Sequence, residues 1–313
     1  GNDEHEQTME EHDLAPVDLV CVNLYPFEAT VAKEGVAFEQ AIENIDIGGP
    51  TMIRSAAKNM KDVTVVTDPG DYDRVLESMK NNDGNTSLEL RLELGQKVYA
   101  RAAEYNAAIA TYLADQLESE ARRPFVKAYS NGKELRYGEN SHQRAWFYRD
   151  PVASEACLAH TEILHGKEMS YNNYVDGEGA LEAVKDLSGV PAVAVIKHTN
   201  PCGYATGENL AEALEAAWAG DPVSAFGSVI AVTEKVDLAL AEKLKGRFVE
   251  ALIAPDFEAD ALEFLQNKSR NIRLLKLQEP MGAARPRKMV KQINGGLLVQ
   301  DVDVVSDNEW NVV

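Results

Sequence analysis

The chain has 313 residues, enough for two domains of ordinary size, and its hydrophobic share of 45% and charged share of 26% are typical of a soluble globular protein. No apolar run approaches the length of a membrane span, the start is polar and acidic, and the formal net charge of −20 disfavours nucleic acid and membrane as partners. Three widely spaced cysteines without a CxxC motif favour a reducing compartment, so we expect a cytoplasmic protein.

The first part of the chain alternates short apolar runs with helical patterns. The runs VDLVCVNL (17–24) and VTVVT (63–67) predict buried strands. The stretches 36–44 and 50–60 predict helices, because their apolar residues recur at helical spacing.

Turn and capping signals bound two of the predicted helices. The glycines at 48–49 predict a tight turn before a helix. Pro50 suits the first position of that helix, because the N–H that proline lacks would have no partner within the helix there. Thr86 and Glu89 form a predicted capping box, and the helix that follows is expected to end near Glu120.

Proline, glycines and charged residues then interrupt the pattern at ARRPF (121–125) and SNGKELRYG (130–138), and we place a domain boundary between residues 122 and 123. Strands and helices alternate again after this break. The predicted strands are 192–198, 228–233 and 249–255, and the predicted helices lie near 209–219, 237–245 and 257–267. Such alternation favours parallel, doubly wound sheets covered on both faces, so both halves are expected to be α/β.

Polar residues gather at the ends of predicted elements in the first half. Tyr25 and Asp46 lie where ligands of open α/β sheets collect. Residues 48–51 offer backbone amides at a helix start, which favours an anion, and Arg54 and Lys58 share one helical face. Each feature alone has an ordinary explanation as a packing tyrosine, a turn or a solvated cation, so only the combination points to a site.

Lys197 and His198 close the most strand-like run of the chain, residues 192–196. Adjacent strand residues point to opposite faces, so both can reach one substrate only if the chain leaves extended geometry. Residues 200–203 begin with an Asn-Pro pair, which favours a turn and predicts the necessary change of direction here. For an isolated Lys-His pair, a basic strand end without function is the more frequent explanation.

Several short sequence motifs, in a fixed order along the chain, resemble those of a known family. They are NLYPF, IDIGG and AAKN in the first half, and RYGENSHQ, SYNN, KHTNPCG, SAFG and VEALIAP in the second. From about Asp18 to Val299 the chain resembles the bifunctional purine-biosynthesis enzymes, which join a phosphoribosylaminoimidazolecarboxamide (AICAR) formyltransferase to an inosine monophosphate (IMP) cyclohydrolase. The resemblance implies a doubly wound, methylglyoxal-synthase-like cyclohydrolase domain at 1–122 and a cytidine-deaminase-like α/β transformylase domain at 123–313.

The resemblance assigns Tyr25, Asp46 and Lys58 to ring closure of formyl-AICAR. A phenol, a carboxylate and an ammonium meet the need for proton transfers and for a donor to the formyl oxygen, and Lys58 is the expected donor. The residues of this half expected to bind substrate are Asn23, Gly48 and Arg54.

The resemblance assigns formyl transfer from the co-substrate 10-formyltetrahydrofolate to the Lys-His pair. His198 is the expected general base, since a histidine of near-neutral pKa can take a proton from the amine, and Lys197 is the expected electrostatic or acid partner. The residues expected to bind the nucleotide are Arg136, Tyr137, His142, Asn173, Gly227 and Glu250. A structural role in capping a turn explains His142 nearly as well.

The resemblance also implies a homodimer and no zinc, because the HxE and PCxxC pattern of zinc deaminases is missing. The family's serine-rich phosphate loop, its KTLHP motif and its large final segment are likewise not found, so we expect a fragment whose own activity is uncertain. Two alternatives stay open: a non-catalytic nucleotide-binding remnant, and an enzyme with a single one of the two activities.

Overall fold

The structure, a computed structural model, describes residues 2–33, 35–117, 125–129, 132–150, 155–282 and 288–303. The chain divides into two compact units, Gly1–Asn131 and Gly132–Val313. The domain boundary predicted between residues 122 and 123 lies outside the described residues. Within the described ranges, no helix is both long enough and apolar enough to cross a membrane.

The first unit places helices around two short parallel strands. Its elements are α1 (Asp3–Glu11), β1 (Leu19–Cys21), α2 (Phe27–Val31), α3 (Phe38–Glu43), α4 (Gly48–Lys58), β2 (Thr64–Val66), α5 (Tyr72–Asn81) and α6 (Leu88–Asp115). Strand β1 pairs with β2 with Val20 opposite Val65, and the core between β2, α4 and α6 includes Ile53 and Leu94. The positions of both predicted strands and of the predicted helices at 36–44 and 50–60 are therefore confirmed.

Strand β1 is less buried than its apolar sequence predicts. All three residues of β2 are buried, whereas Leu19 is 42% exposed and Cys21 is also exposed. Among the described residues β1 pairs with β2 alone, so its side chains have fewer neighbours than those of an interior strand. The prediction of a buried strand is correct for β2 and wrong for β1.

The long helix α6 is capped one residue later than predicted. The Ser87 hydroxyl accepts the amide of Leu90 at 3.2 Å, which makes Ser87 the N-cap. The hydroxyl of Thr86 is instead 2.7 Å from that of Thr64 in the core, so the predicted capping box with Glu89 is wrong. The helix ends at Asp115, earlier than predicted.

The second unit is built on a six-stranded sheet. Its elements are β3 (Lys133–Leu135), β4 (Ala145–Phe147), β5 (Glu162–His165), α7 (Tyr171–Lys185), β6 (Ala192–Lys197), β7 (Asn200–Thr206), α8 (Leu210–Gly220), β8 (Ser228–Val232), α9 (Leu238–Lys243), β9 (Val249–Ala254), α10 (Ala259–Lys268), β10 (Arg273–Lys276), β11 (Lys288–Ile293) and β12 (Gly296–Asp301). The strand order in the large sheet is β5-β10-β9-β8-β6-β7.

This sheet is mixed rather than parallel. Strands β8, β9 and β10 run parallel, whereas β6 is antiparallel to both β7 and β8, and β5 is antiparallel to β10. A two-residue loop joins β6 to β7, and such a loop can connect only antiparallel strands. The expectation of a parallel sheet is therefore wrong here, although the unit is α/β as predicted.

Helices cover both faces of the sheet, as predicted. Along β6, Val193 and Val195 pack into a core with α8, α9 and α10. Ala194 and Ile196 point to the opposite face and pack with residues of α7. Strand β6 is thus buried on both faces up to Lys197, where the chain reaches the surface.

Candidate functional site

The first unit has a pocket of about 380 Å³ at the carboxyl ends of its two parallel strands. Ligands of open α/β sheets gather at this position, because loops diverge there. The lining residues are Asn23 and Leu24 after β1, Thr67, Asp68 and Pro69 after β2, and Lys97, Ala100, Arg101 and Glu104 of α6.

Lys97 presents a fixed ammonium to this pocket. Its Nζ donates to Oδ2 of Asp68 at 2.6 Å and to Oδ2 of Asp71 at 2.7 Å. Burial alone would lower the pKa of Lys97, but the two carboxylates outweigh burial and the net pKa lies above its ordinary value. Lys97 therefore stays protonated, and an ammonium has three donors, so one N–H remains for a bound molecule.

Neutral polar groups accompany this cation. The Oγ1 atom of Thr67 is buried and has no hydrogen-bond partner in the described part of the chain. The amide nitrogen of Asn23 lies 3.5 Å from the hydroxyl of Tyr72. A buried hydroxyl without a partner is costly, but the Oγ1 atom is closed off from solvent, so Thr67 lines the pocket without opening its hydroxyl to a bound molecule.

The sequence-predicted Asp46 lies close to the backbone of Tyr25. Its carboxylate accepts the amide of Tyr25 at 3.3 Å and that of Gly49 at 2.8 Å, which fixes the loop after β1 against the start of α4. The Asp46 amide donates to the hydroxyl of Tyr105 at 2.7 Å. The Tyr25 side chain itself is 54% exposed.

The cations of α4 lie elsewhere. Lys58 is the last residue of α4 and Gly48 the first, and ten residues of helix rise by about 15 Å. Arg54 lies over the ring of Tyr99, with 5.7 Å from Cζ to the ring centroid. The structure thus places Asp46 against the backbone of Tyr25 and leaves Lys58 at the far end of the helix.

Sequence reasoning missed the pocket cations on α6. Lys97 and Arg101 are four residues apart and so share one helical face, which is a signal that could have been found. Arg101 pairs with Glu28 at 2.5 Å and lies over the ring of Tyr105 at 5.5 Å from the ring centroid. The site therefore includes a helix that the sequence motifs do not mark.

In the second unit, His198 occupies the tight turn between β6 and β7. Lys197 pairs with Asn200, so His198 and Thr199 alone form the loop, with φ of +52° and +59°. These are the left-handed angles of a type I′ hairpin turn. The chain leaves extended geometry as predicted, but at His198 rather than in the 200–203 segment, which begins β7.

Contacts from different elements surround the Lys-His pair. The ammonium of Lys197 donates to the carbonyl of Phe226 at 2.8 Å. The amide of Thr199 donates to Oδ1 of Asp176, on α7, at 2.8 Å, and the side-chain amide of Asn200 donates to the carbonyl of His198 at 2.8 Å. Among the described residues the carbonyl of Phe226 is the one acceptor of the Lys197 ammonium, which leaves two N–H groups for a bound molecule.

The loop after β3 carries Arg136, Tyr137 and His142. The Gly138 amide donates to the carbonyl of Gln143 at 2.7 Å, which closes the loop. The Arg136 guanidinium lies 5.3 Å from the centroid of the Tyr137 ring, and both Arg136 and His142 are exposed. The three predicted side chains thus lie on one compact loop.

The remaining predicted residues have structural contacts of their own. Asn173 is 6% exposed and forms a capping box with Ser170 at the start of α7. Gly227 has a φ of +78° and its amide donates to the carbonyl of Phe248 at 2.8 Å. Glu250 forms an ion pair with Arg273. Within the described residues, no three His, Cys, Asp or Glu side chains cluster as metal ligands would.

Two protein-family models match this chain. A family model described as the AICARFT/IMPCHase bienzyme matches residues 56–313, and a model described as an MGS-like domain matches residues 1–51. The chain belongs to the AICARFT/IMPCHase bienzyme family. The MGS-like match falls in the first unit, and the bienzyme match includes α6 and the whole of the second unit.

Curated relatives of the bienzyme family agree. The bifunctional purine biosynthesis protein PurH of Lactobacillus delbrueckii subsp. bulgaricus is 47% identical over 312 residues, and that of Lactobacillus acidophilus is 46% identical over 312 residues. Each alignment covers 99% of this chain and 60% of the relative, so the chain spans about three fifths of the length of these proteins. The crystal structure of ForH aligns with 36% of this chain and 58% of its own at 33% identity, with a TM-score of 0.32.

Proposed function

We propose that the protein carrying this sequence transfers a formyl group from 10-formyltetrahydrofolate to AICAR and then closes formyl-AICAR to IMP. The observation that carries the proposal is the placement of Lys197 and His198 at the exposed end of a buried strand, with His198 in a left-handed turn. The bienzyme family and relatives named as bifunctional purine biosynthesis proteins support it. In this proposal the domains are 1–122, doubly wound and methylglyoxal-synthase-like, and 123–313, cytidine-deaminase-like.

Formyl transfer requires help because the substrate amine is a poor nucleophile. The imidazole of His198 takes the proton of the amine as its nitrogen attacks the formyl carbon. The Lys197 ammonium stabilises the oxyanion and returns a proton to the folate nitrogen that leaves. The residues that would bind the nucleotide are Arg136, Tyr137, His142, Asn173, Gly227 and Glu250.

Ring closure is the attack of the carboxamide nitrogen on the formyl carbon with loss of water. Tyr25, Asp46 and Lys58 are the residues proposed for it, with Asn23, Gly48 and Arg54 in substrate binding. The pocket at Asn23 adds two groups that suit a carboxamide-bearing ring: the third N–H of Lys97 and the side-chain amide of Asn23. Lys97 lines the same pocket as Asn23, so it is a second candidate donor to the oxygen that leaves.

The proposal includes a cytoplasmic homodimer that uses no zinc and binds neither nucleic acid nor membrane. The alternative is a nucleotide-binding protein without catalysis. The two differ in turnover: the complete protein, mixed with AICAR and 10-formyltetrahydrofolate, is expected to form IMP, which absorbance and chromatography measure. Binding of AICAR by calorimetry without any IMP would favour the alternative and contradict the proposal.

A further inference from the structure

The turn that carries His198 also contains a residue that rarely adopts its geometry, Thr199. Type I′ turns favour asparagine and glycine, because both central residues need a positive φ. Here the two positions are His198 and the β-branched Thr199, at +52° and +59°. A β-branched residue in this region is strained and persists only when its surroundings hold it there.

Two of the contacts that support the turn are local. The hydroxyl of Thr199 donates to the carbonyl of His198 at 2.7 Å, and the side chain of Asn200 donates to the same carbonyl at 2.8 Å. Donors and acceptor all belong to the hairpin, so these hydrogen bonds move with it. They stabilise the shape of the turn but do not fix its position in the unit.

Asp176 links the turn to a different element. Its Oδ1 accepts the Thr199 amide at 2.8 Å across 23 residues of sequence. The next turn of α7 lies close to the same hairpin, because a Cβ on Gly179 would be 3.6 Å from Ile196 and 3.9 Å from Cα of Thr199. The face of α7 with Asp176 and Gly179 therefore lies against the end of β6.

The helix that carries Asp176 is itself held firmly. Ser170 and Asn173 form a complete capping box at its start. Tyr174 stacks on Phe147 of β4 with ring centroids 4.2 Å apart. A carboxylate on a rigid element can hold a neighbouring backbone in a strained conformation, which is the arrangement that a well-oriented general base needs.

We propose that Asp176 is a positioning residue for His198. It holds the Thr199 amide, and through it the left-handed turn from which the His198 imidazole projects. Lys197 is fixed separately by the carbonyl of Phe226, so the loss of Asp176 changes the direction of the histidine and spares that of the lysine. The role in formyl transfer rests on the proposed function, whereas the hold on the turn does not.

The first experiment measures formyl transfer by the complete protein. Asp176→Ala is expected to lower kcat roughly a hundredfold with little change in KM for AICAR, because a misdirected base impairs chemistry more than binding. Asp176→Asn keeps an Oδ1 acceptor and is expected to recover most of kcat. Asp186→Ala, which removes an exposed carboxylate at the end of the same helix, is the matched control and is expected to retain full activity.

A second variant separates positioning from folding. Glycine adopts a positive φ without strain, so Thr199→Gly in the Asp176→Ala background is expected to regain at least tenfold in kcat. If Asp176→Ala leaves kcat unchanged, or if neither Asp176→Asn nor Thr199→Gly restores it, the positioning role is refuted.

The third measurement needs no activity. Hydrogen exchange of the Thr199 amide in the 313-residue chain is expected to be slow and to become about tenfold faster in Asp176→Ala, since one hydrogen bond is lost. Fast exchange in the wild-type chain would overturn the hold on the turn. If exchange follows the expectation and the complete wild-type protein does not formylate AICAR, the proposed function fails while the structural claim stands.

Discussion

Lys97 and Asp71 form a hydrogen-bonded ion pair at 2.7 Å, and the Asp71 side chain is 7% exposed. The same ammonium binds Asp68 at 2.6 Å, so one cation on α6 links two carboxylates that follow β2. The pair fixes the wall of the pocket at the carboxyl ends of β1 and β2. Stability and the proposed ring closure should therefore both depend on Lys97.

Replacement of Lys97 by methionine tests this link. Lys97→Met leaves the buried Asp71 with a weaker partner, Arg74 at 3.4 Å, so the free energy of unfolding is expected to fall by about 1.5–3 kcal/mol. Urea unfolding followed by circular dichroism measures the change. Lys80→Met on α5, where the lysine is exposed, is the control and is expected to stay within about 0.5 kcal/mol of wild type. Equal stability of the two variants would show that the ion pair contributes nothing.

The same cluster predicts how stability depends on acid. The hydrogen bond from Lys97 holds the pKa of Asp68 below its ordinary value of 3.8. A lowered pKa in the folded state stabilises the protein above pH 3.8, and this contribution disappears as the pH falls through the folded value. Because Asp68 is 46% exposed, solvent screens the effect and we expect a modest change. Between pH 6 and pH 3 the urea midpoint of Asp68→Asn is expected to fall less than that of wild type, and parallel curves would contradict the prediction.

Some of this architecture follows from the sequence and some does not. Strand β6 is predictable because residues 192–196 are apolar on both faces, as in a strand between two helical layers. The position of its turn is not, because Asn200-Pro201 is a stronger local turn signal than His198-Thr199. A contact with Asp176, 23 residues earlier, outweighs that local preference.

The pocket of the first unit shows a second limit. Asp46 could be named from its place before a helix, whereas Asn23 is named through the family resemblance. The spacing of Lys97 and Arg101 on one helical face could have been noted, but the pairing of Lys97 with Asp71 could not, because Asp71 lies 26 residues away and the contact forms only in the folded unit. For Lys58 the reverse holds: a sequence motif predicts it as a site residue, but it lies at the opposite end of α4 from Asp46.

Two adjacent glycines offer a matched pair of variants. A Cβ on Gly49 would overlap the carboxylate of Asp46 and lie 2.8 Å from Cδ2 of Leu24, whereas a Cβ on Gly48 would meet nothing within 4 Å. Gly49→Ala is expected to destabilise the chain by about 1–3 kcal/mol and to displace the loop that holds Tyr25. Gly48→Ala is expected to be neutral or to stabilise by up to about 1 kcal/mol. Thermal unfolding of both variants measures the difference, and similar melting temperatures would refute the close packing.

Removal of the imidazole of His198 is the direct test of the proposed formyl transfer. In the complete protein, His198→Ala is expected to lower kcat for formyl transfer by about two to four orders of magnitude, since it deletes the general base. Binding of AICAR should change little, because the residues proposed to bind the nucleotide are unchanged and because the loss of an exposed turn side chain leaves the fold intact. His5→Ala, an exposed histidine of α1, is the control. Ring closure of supplied formyl-AICAR should also survive, because its proposed residues lie in the other unit. If His198→Ala formylates AICAR at the wild-type rate, another base acts; if it loses ring closure as well, the assignment of the two reactions to separate units is wrong.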